Sequence, residues 1–290
     1  MQLLVNIVVL AAIYALIACG YVLIYRTSRV LNLAHGELMM LAAYLLLTTA
    51  SLISGHPLAA AIAAALLGLV VGVLVYRFLM RRMTGERVLA AVLATVALGI
   101  LLRGAIVLVW SAQQQYPLQS LGWQNASLAL PGGARVSAAS ATLVLGTGAV
   151  YLGLFAFLRL TRWGIRLRAV GQNPLLAAQR GIRLHGIYAL AWGLSTFTGG
   201  LAGMLIALDS GLDQTIAVIG LKAFPAALVG GLDSLAGALL GALIVATAEV
   251  LLIYYVDPLL ADVVPFLVLI AMLIVRPWGL FGTREELDRV

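Results

Sequence analysis

The chain has 290 residues, of which 63% are hydrophobic and only 10% are charged. Several apolar runs exceed the roughly 18 to 20 residues that cross a bilayer, so the composition excludes a soluble domain and predicts a polytopic membrane protein. The net charge of +7 comes almost entirely from arginines clustered in a few short segments. That clustering indicates membrane topology and is not a signal for nucleic-acid binding.

The apolar runs predict an all-α bundle of eight or nine membrane spans, forming a single domain over residues 1–290. The first run has no basic region before it, so it is expected to be an uncleaved span and not a signal peptide. One further run, Gln214–Leu232, is broken by Gly220 and Pro225, and it either crosses the membrane or re-enters it. The eight continuous runs are approximately Leu3–Tyr25, Leu38–Ile53, Leu58–Leu79, Val88–Trp110, Ala141–Leu160, Ile187–Leu208, Leu235–Val256 and Val263–Val275.

The distribution of basic residues predicts the orientation, because positively charged loops stay in the cytoplasm. If Gln214–Leu232 crosses, the chain has nine spans, an external N-terminus and a short cytoplasmic tail at 283–290. All 18 cations are then cytoplasmic except Arg135, which is outside, and Arg103 and Lys222, which are in the membrane. With eight spans the basic tail would be outside, so we favour nine.

The segment Thr161–Gly186 is the most basic loop, carrying five arginines after Arg159 and no acid. It contains the pattern of a short helix, with Asn173 as N-cap, Pro174 at the first helical position and Gly181 just past the end. A two-turn helix with a small Ala177–Ala178 face predicts a docking element for a soluble partner. The alternative is a solvated connector between two spans.

The sequence offers no pattern for catalysis. Its three histidines are far apart and Cys19 is its only cysteine, so no metal-ligand spacing exists. It also lacks a GxxxxGK[ST] phosphate loop and paired carboxylates on one helix face. We therefore expect no catalytic residue, no metal site and no cofactor bound by this chain.

Ionisable residues within membrane spans are costly, and they are usually functional or paired. Glu37 follows Asn32 and His35 in an irregular stretch that cannot face lipid. It either lines a path through the membrane or stabilises the positive N-terminus of the second span.

Three further charges lie at membrane depth. Lys222, the only lysine, either pairs with Glu249 or Asp233 or attracts a carboxylate. Arg103 either does the same or extends its guanidinium to the interface. The residues predicted to line a polar path are Asn32, His35, Glu37, Arg103, Lys222 and Glu249.

Four motifs occur in order along almost the whole chain: VLNLAHGELMMLAAY at 30–44, AAQRGI at 177–182, GLKAFPAALVGGLDSLAGALLGAL at 220–243 and VRPWGLFG at 275–282. Together they resemble the permease subunits of ABC importers for branched-chain amino acids, of the high-affinity leucine–isoleucine–valine type. Each motif alone is weak, whereas four in order at the expected spacing form a specific pattern.

The resemblance implies a multi-pass subunit of the bacterial inner membrane that works with a second, related permease. Two cytoplasmic ATPase subunits, which hold ATP and Mg, would drive it, and a periplasmic binding protein would deliver the substrate. The segment Thr161–Gly186 would be the coupling loop to the ATPase. Its expected contact residues are Arg168, Asn173, Pro174, Ala177, Ala178, Arg180 and Gly181.

Two positions depart from the family as it is usually found. Arg103 stands where an uncharged residue is usual, and the neighbourhood of Asn173 is neutral where an acid is frequent. The substrate therefore stays open, with urea, short amides or another small organic solute as alternatives within the same class.

Two other classes of function compete. An ion-coupled secondary transporter needs acids at mid-membrane and no docking loop, and only Glu249 is a plausible deep carboxylate. A structural membrane scaffold does not need broken spans that carry Glu37 and Lys222.

Overall fold

The computed structural model describes residues 1–53 and 55–283, and nearly all of its regular structure is helical. Its helices are α1 (Gln2–Ser28), α2 (His35–Leu52), α3 (Pro57–Val75), α4 (Arg81–Met83), α5 (Val88–Trp110), α6 (Pro117–Ser120), α7 (Ala138–Leu160), α8 (Arg162–Gln172), α9 (Pro174–Gln179), α10 (Leu184–Ser210), α11 (Ile216–Gly230), α12 (Leu235–Tyr255) and α13 (Val264–Val275). A π-helical turn, Tyr76–Met80, joins α3 to α4, and a 3-10 turn, Pro258–Asp262, precedes α13. Two short strands, β1 (Ser127–Ala129) and β2 (Arg135–Ser137), form an antiparallel hairpin.

Six helices in the described part of the chain are long and apolar enough to cross a membrane. They are α1, the continuous helix from α3 to α4, α5, α7, α10 and α12. The remaining apolar helices are shorter, with 18 residues in α2, 15 in α11 and 12 in α13. At 1.5 Å per residue, α11 and α13 reach about 22 Å and about 18 Å, less than the roughly 30 Å hydrocarbon core. Every predicted run is helical, while the number of crossings stays a prediction.

Helix α1 is the centre of the bundle. It packs against α7, α10, α11 and α12, and most of its surface is buried. Its sequence is apolar on all sides, which is the pattern of a helix surrounded by others. Helix α1 therefore connects these surrounding helices to one another.

Glycines permit close contacts between the neighbouring helices. A Cβ on Gly72 of α3 would lie 2.5 Å from the Trp192 carbonyl oxygen of α10. A Cβ on Gly203 of α10 would lie 2.6 Å from the Met39 carbonyl oxygen of α2. Side chains at these positions would force the backbones apart, so α2, α3 and α10 form one tightly packed layer.

The connection between α5 and α7 is more structured than the irregular loop that the sequence suggests. It contains α6 and the β1–β2 hairpin, and Gln115 forms a bridge with Leu212 after α10. Asp209, at the end of α10, accepts hydrogen bonds from Asn125 at 3.0 Å and from the hydroxyl of Ser140 at 3.1 Å. These bonds attach the loop to the end of α10.

The basic segment after α7 forms two helices instead of the single one predicted. Thr161 caps α8, because its hydroxyl accepts the Gly164 amide at 3.0 Å. Leu167 and Val170 are fully buried on one face of α8, and Arg162 is exposed on the other. This spacing makes α8 an amphipathic helix.

Candidate functional site

The irregular stretch before α2 positions Glu37 in the first turn of that helix. Arg103 of α5 donates a hydrogen bond from Nη2 to Glu37 Oε1 at 2.8 Å. The Arg103 side chain is 45% exposed and that of Glu37 is 15% exposed. Of the alternatives open for Arg103, the structure therefore shows pairing with a carboxylate. Glu37 also lies at the positive, N-terminal end of α2.

The second group of charges is enclosed. Lys222 of α11 lies 2.7 Å from Glu249 Oε1 of α12 and 3.3 Å from Asp262 Oδ1. Tyr14 of α1 donates a hydrogen bond to Glu249 Oε2 at 2.6 Å. The side chains of Lys222 and Glu249 are only 12% and 4% exposed. Glu249, and not Asp233, is thus the partner of Lys222, and the group ties α1, α11 and α12 together.

The two other predicted path residues in the first motif are buried. His35 packs against the ring of Tyr21 with centroids 4.6 Å apart, and its Nδ1 lies 3.4 Å from the Ser195 hydroxyl. Asn32 Oδ1 accepts the amide of Ala34, which turns the chain into α2. Both side chains retain one buried nitrogen, Asn32 Nδ2 and His35 Nε2, without a hydrogen-bond partner among the described residues.

The two irregular segments meet at the centre of the molecule. A Cβ on Gly220 of α11 would collide with the Gly36 Cα of α2, and the Tyr21 hydroxyl of α1 donates to the Gly220 carbonyl at 3.2 Å. The N-terminal turn of α2 and the middle of α11 are therefore in backbone contact. Glu37 and Lys222 therefore belong to elements that are packed directly against each other.

The segment predicted to couple to the ATPase has the predicted caps. Asn173 Oδ1 accepts the Leu176 amide at 3.0 Å, and Pro174 occupies the first helical position of α9. Gly181 has a φ of 78°, the left-handed conformation that ends a helix. Leu175 and Leu176 are exposed on α9, which leaves an apolar surface on a basic loop.

The predicted Ala177–Ala178 contact face needs a correction. Ala178 is exposed, but Ala177 is buried in the core of this chain. Helices α8 and α10 both pack against α9, and Ala177 belongs to the apolar core, so the exposed apolar face consists of Leu175, Leu176 and Ala178.

The arginines of the predicted contact set are in different environments. Arg180 lines an open cleft of about 600 Å³ together with Trp163, Arg166 and Arg183. Arg168 instead has a buried Nε without a partner in the described part of the chain. Arg180 is therefore at the open surface, whereas Arg168 is partly enclosed.

Comparison with known proteins identifies the family. The family model described as "Branched-chain amino acid transport system / permease component" matches residues 3–273. The chain belongs to this family. The permease LivH of Escherichia coli K12 is 30% identical over 98% of this chain and 96% of its own length. LivH of Salmonella typhimurium is 29% identical with the same coverage, and BraD of Pseudomonas aeruginosa is 29% identical over 100% of this chain and 98% of its own.

The family resemblance seen in the motifs is confirmed by these relatives. A solved structure, PsaBC from Streptococcus pneumoniae in complex with Fab, aligns with 95% of this chain and 91% of its own, at 17% identity and a TM-score of 0.49.

Two of the motifs of this permease pack on each other. The amides of Leu280 and Phe281 donate to the carbonyls of Val229 and Gly230 at 2.9 and 3.0 Å. A Cβ on Gly231 would lie 2.4 Å from the Gly282 nitrogen. The RPWGLFG motif thus closes over the turn between α11 and α12 and leaves no room for a side chain on Gly231.

Several features of the structure were not predicted from the sequence. Helix α8 has a weak sequence signal in Gly164, Leu167 and Val170, which recur every three residues and are the buried residues of the helix. The ion pair of Arg29 with Asp233, at 2.8 Å, joins residues 204 apart in sequence and has no local signal. The tail residues 284–290, predicted to be cytoplasmic, lie outside the described residues.

Proposed function

We propose that this chain is the membrane permease subunit of an ATP-driven importer for branched-chain amino acids in the bacterial inner membrane. It works with a second, related permease, two cytoplasmic ATPase subunits that bind ATP and Mg, and a periplasmic substrate-binding protein. The observation that carries the proposal is the family match over residues 3–273, which includes the exposed helix α9 and both intramembrane ion pairs.

The coupling function of α9 is supported by its connections. Helices α8 and α9 join α7 to α10, and α10 packs against α1, α2 and α3. A Cβ on Gly171 of α8 would lie 2.5 Å from the Arg26 carbonyl oxygen at the end of α1. Displacement of α9 by the closing ATPases is therefore transmitted to the central helices, and the membrane path changes from outside-open to inside-open.

The path itself runs along the surface that this permease shares with its partner, beside the N-terminal turn of α2. Contact between Gly36 and Gly220 couples the two irregular segments, so a shift of α2 also moves α11. Apolar walls suit aliphatic side chains, and the binding protein selects the substrate before it arrives. A variant importer that accepts urea or a short amide instead would differ in that binding protein.

The coupling helix is tested by Leu176→Asp, which places a charge on the exposed face of α9 without altering the core. The matched control is Leu128→Asp in the external hairpin, where the leucine is also exposed. We expect Leu176→Asp to abolish both co-purification of the ATPase and ATP-dependent leucine uptake in proteoliposomes, whereas Leu128→Asp retains both. Retention of the ATPase by Leu176→Asp would reject α9 as the coupling helix.

The same reconstitution decides between classes of transporter. Uptake by the wild-type permease in liposomes without an ATPase would establish a secondary transporter and reject the importer. Uptake of urea or a short amide in place of leucine, with the ATPase required, would retain the importer and change its substrate.

The proposed topology is nine spans with the N-terminus outside and the C-terminus inside. Cys19 is fully buried, so single cysteines introduced at Gln113 and Thr283 can be labelled selectively. In intact cells an impermeant maleimide should label Gln113→Cys and should reach Thr283→Cys only after lysis. Labelling of Thr283→Cys in intact cells would place the C-terminal end outside and contradict nine spans.

A further inference from the structure

Glu37 and Arg103 form an ion pair at the middle of a membrane-crossing helix. Gly99 is the central residue of α5, about 16 Å from either end at 1.5 Å per residue. A Cβ on Gly99 would lie 3.2 Å from Glu37 Oε2. Arg103 lies one helical turn further along the same face of α5, so both charges lie in the central half of a candidate membrane span.

The pair is open on one side. Helix α5 is the least buried of the six candidate spans in the described residues, and the Arg103 side chain is 45% exposed. A guanidinium in contact with lipid tails is strongly unfavourable. The surface around Arg103 must therefore face water or the second permease, as it would beside a path between the two subunits.

The bonding capacity of the pair is largely unused. Among the described residues Arg103 makes one hydrogen bond, to Glu37, although a guanidinium has five N–H donors. The first turn of α2 adds its positive end beside the carboxylate. A ligand that brings one negative and one positive group can bind both side chains and leave no charge unpaired.

We infer that Glu37 and Arg103 form a subsite for the charged end of an amino acid in transit. Arg103 receives the α-carboxylate through paired N–H donors, and Glu37 receives the α-ammonium. The exposed aliphatic side chain of Ile100, three residues before Arg103 on the same face of α5, provides an apolar surface next to the subsite for the substrate side chain. The inference rests on the proposed function and adds to it the class of ligand, a zwitterion, and the residues that recognise it.

The test uses the complete importer in proteoliposomes and measures ATP-dependent leucine uptake. The double variant Glu37→Gln/Arg103→Gln removes both charges and leaves neither unpaired, so a purely structural pair tolerates it. A subsite does not. We expect the maximal uptake rate to fall about tenfold to hundredfold, the loss expected for charge-assisted hydrogen bonds to the substrate. The half-saturating leucine concentration, which the binding protein sets, stays the same.

Assembly is followed separately, by co-purification of the ATPase with the double variant. Uptake at the wild-type rate by an assembled double variant overturns the subsite. If the double variant does not assemble, Arg103→Lys takes its place, because lysine keeps the charge and lacks the planar fork that grips a carboxylate. A several-fold lower rate for Arg103→Lys supports the subsite, and an unchanged rate overturns it.

The two proposals can fail independently. If the wild-type importer does not move leucine with ATP, the proposed function fails. If the wild type transports and the charge-free variant transports equally well, only the subsite fails.

Discussion

The two intramembrane ion pairs of this permease differ in how completely the fold encloses them. Lys222 and Glu249 are nearly inaccessible and have further partners in Tyr14 and Asp262. Glu37 and Arg103 make a single contact at a similar distance, and the arginine is half exposed. Distance alone would make the pairs equivalent, whereas enclosure separates a pair that holds helices together from the open pair to which we assign a ligand.

The largest expected effect is that of Glu249→Gln, because it leaves the Lys222 ammonium buried without its main counter-charge. Breaking a buried pair on one side costs about 3 to 5 kcal/mol. We expect little folded protein after detergent extraction, measured by size-exclusion chromatography and thermal melting. The control Lys222→Met/Glu249→Gln removes both charges and should recover most of the stability. Normal stability of the single variant would show that the enclosed pair is dispensable for folding.

Tyr14→Phe tests the same enclosed pair more gently. It removes the hydroxyl that donates to Glu249 at 2.6 Å. A hydrogen bond to a charged group contributes about 1.5 to 3 kcal/mol, so the melting temperature should fall clearly while the protein still folds. Tyr44→Phe is the matched control, because the Tyr44 hydroxyl is buried without a partner among the described residues and its loss should be nearly neutral. Equal effects of the two substitutions would show that ring packing alone matters.

The sequence was informative about which residues are charged at depth and uninformative about how they pair. It predicted Lys222 to pair with Glu249 or Asp233, and only tertiary packing decides between them, because Asp233 is held by Arg29 and Thr283 instead. The partners Glu37 and Arg103 are 66 residues apart on different helices, so no spacing rule connects them.

Local signals were more reliable than long-range ones. The caps of α9, Asn173 and Gly181, follow from short-range chemistry and are as predicted. The burial of Ala177 is not, because it depends on the packing of α9 against α8 and α10, which no local pattern encodes. The length of the apolar runs predicted the helices, but the packing of α2 against α5 and α11 could not be read from them.

The double variant Glu37→Gln/Arg103→Gln, which leaves neither partner unpaired, is expected to change stability less than either substitution at the enclosed pair. Because the Arg103 side chain is half exposed, its ion pair should contribute no more than about 1 kcal/mol. The variant should therefore melt within a few degrees of the wild type and co-purify with the ATPase, while uptake falls. Melting as low as that of Glu249→Gln would give both pairs the same structural function.

The smallest effect is expected at the proposed cytoplasmic side, where Asp233 pairs with Arg29. The side chains are 18% and 43% exposed, so solvent screens the pair, and Asp233→Asn should cost about 0.2 to 1 kcal/mol. The asparagine can still accept from Thr283, which donates to Asp233 at 2.7 Å.

Glu86→Gln, an exposed charge without an ion pair among the described residues, is the matched control. We measure melting in low salt and in about 1 M salt, where the Debye length is about 3 Å. The difference between Asp233→Asn and the wild type should disappear at high salt. A difference that persists at high salt would show that Asp233, like Glu249, belongs to an enclosed ion pair. Enclosure by the surrounding chain, independent of depth in the membrane, would then distinguish structural ion pairs from the open pair of Glu37 and Arg103.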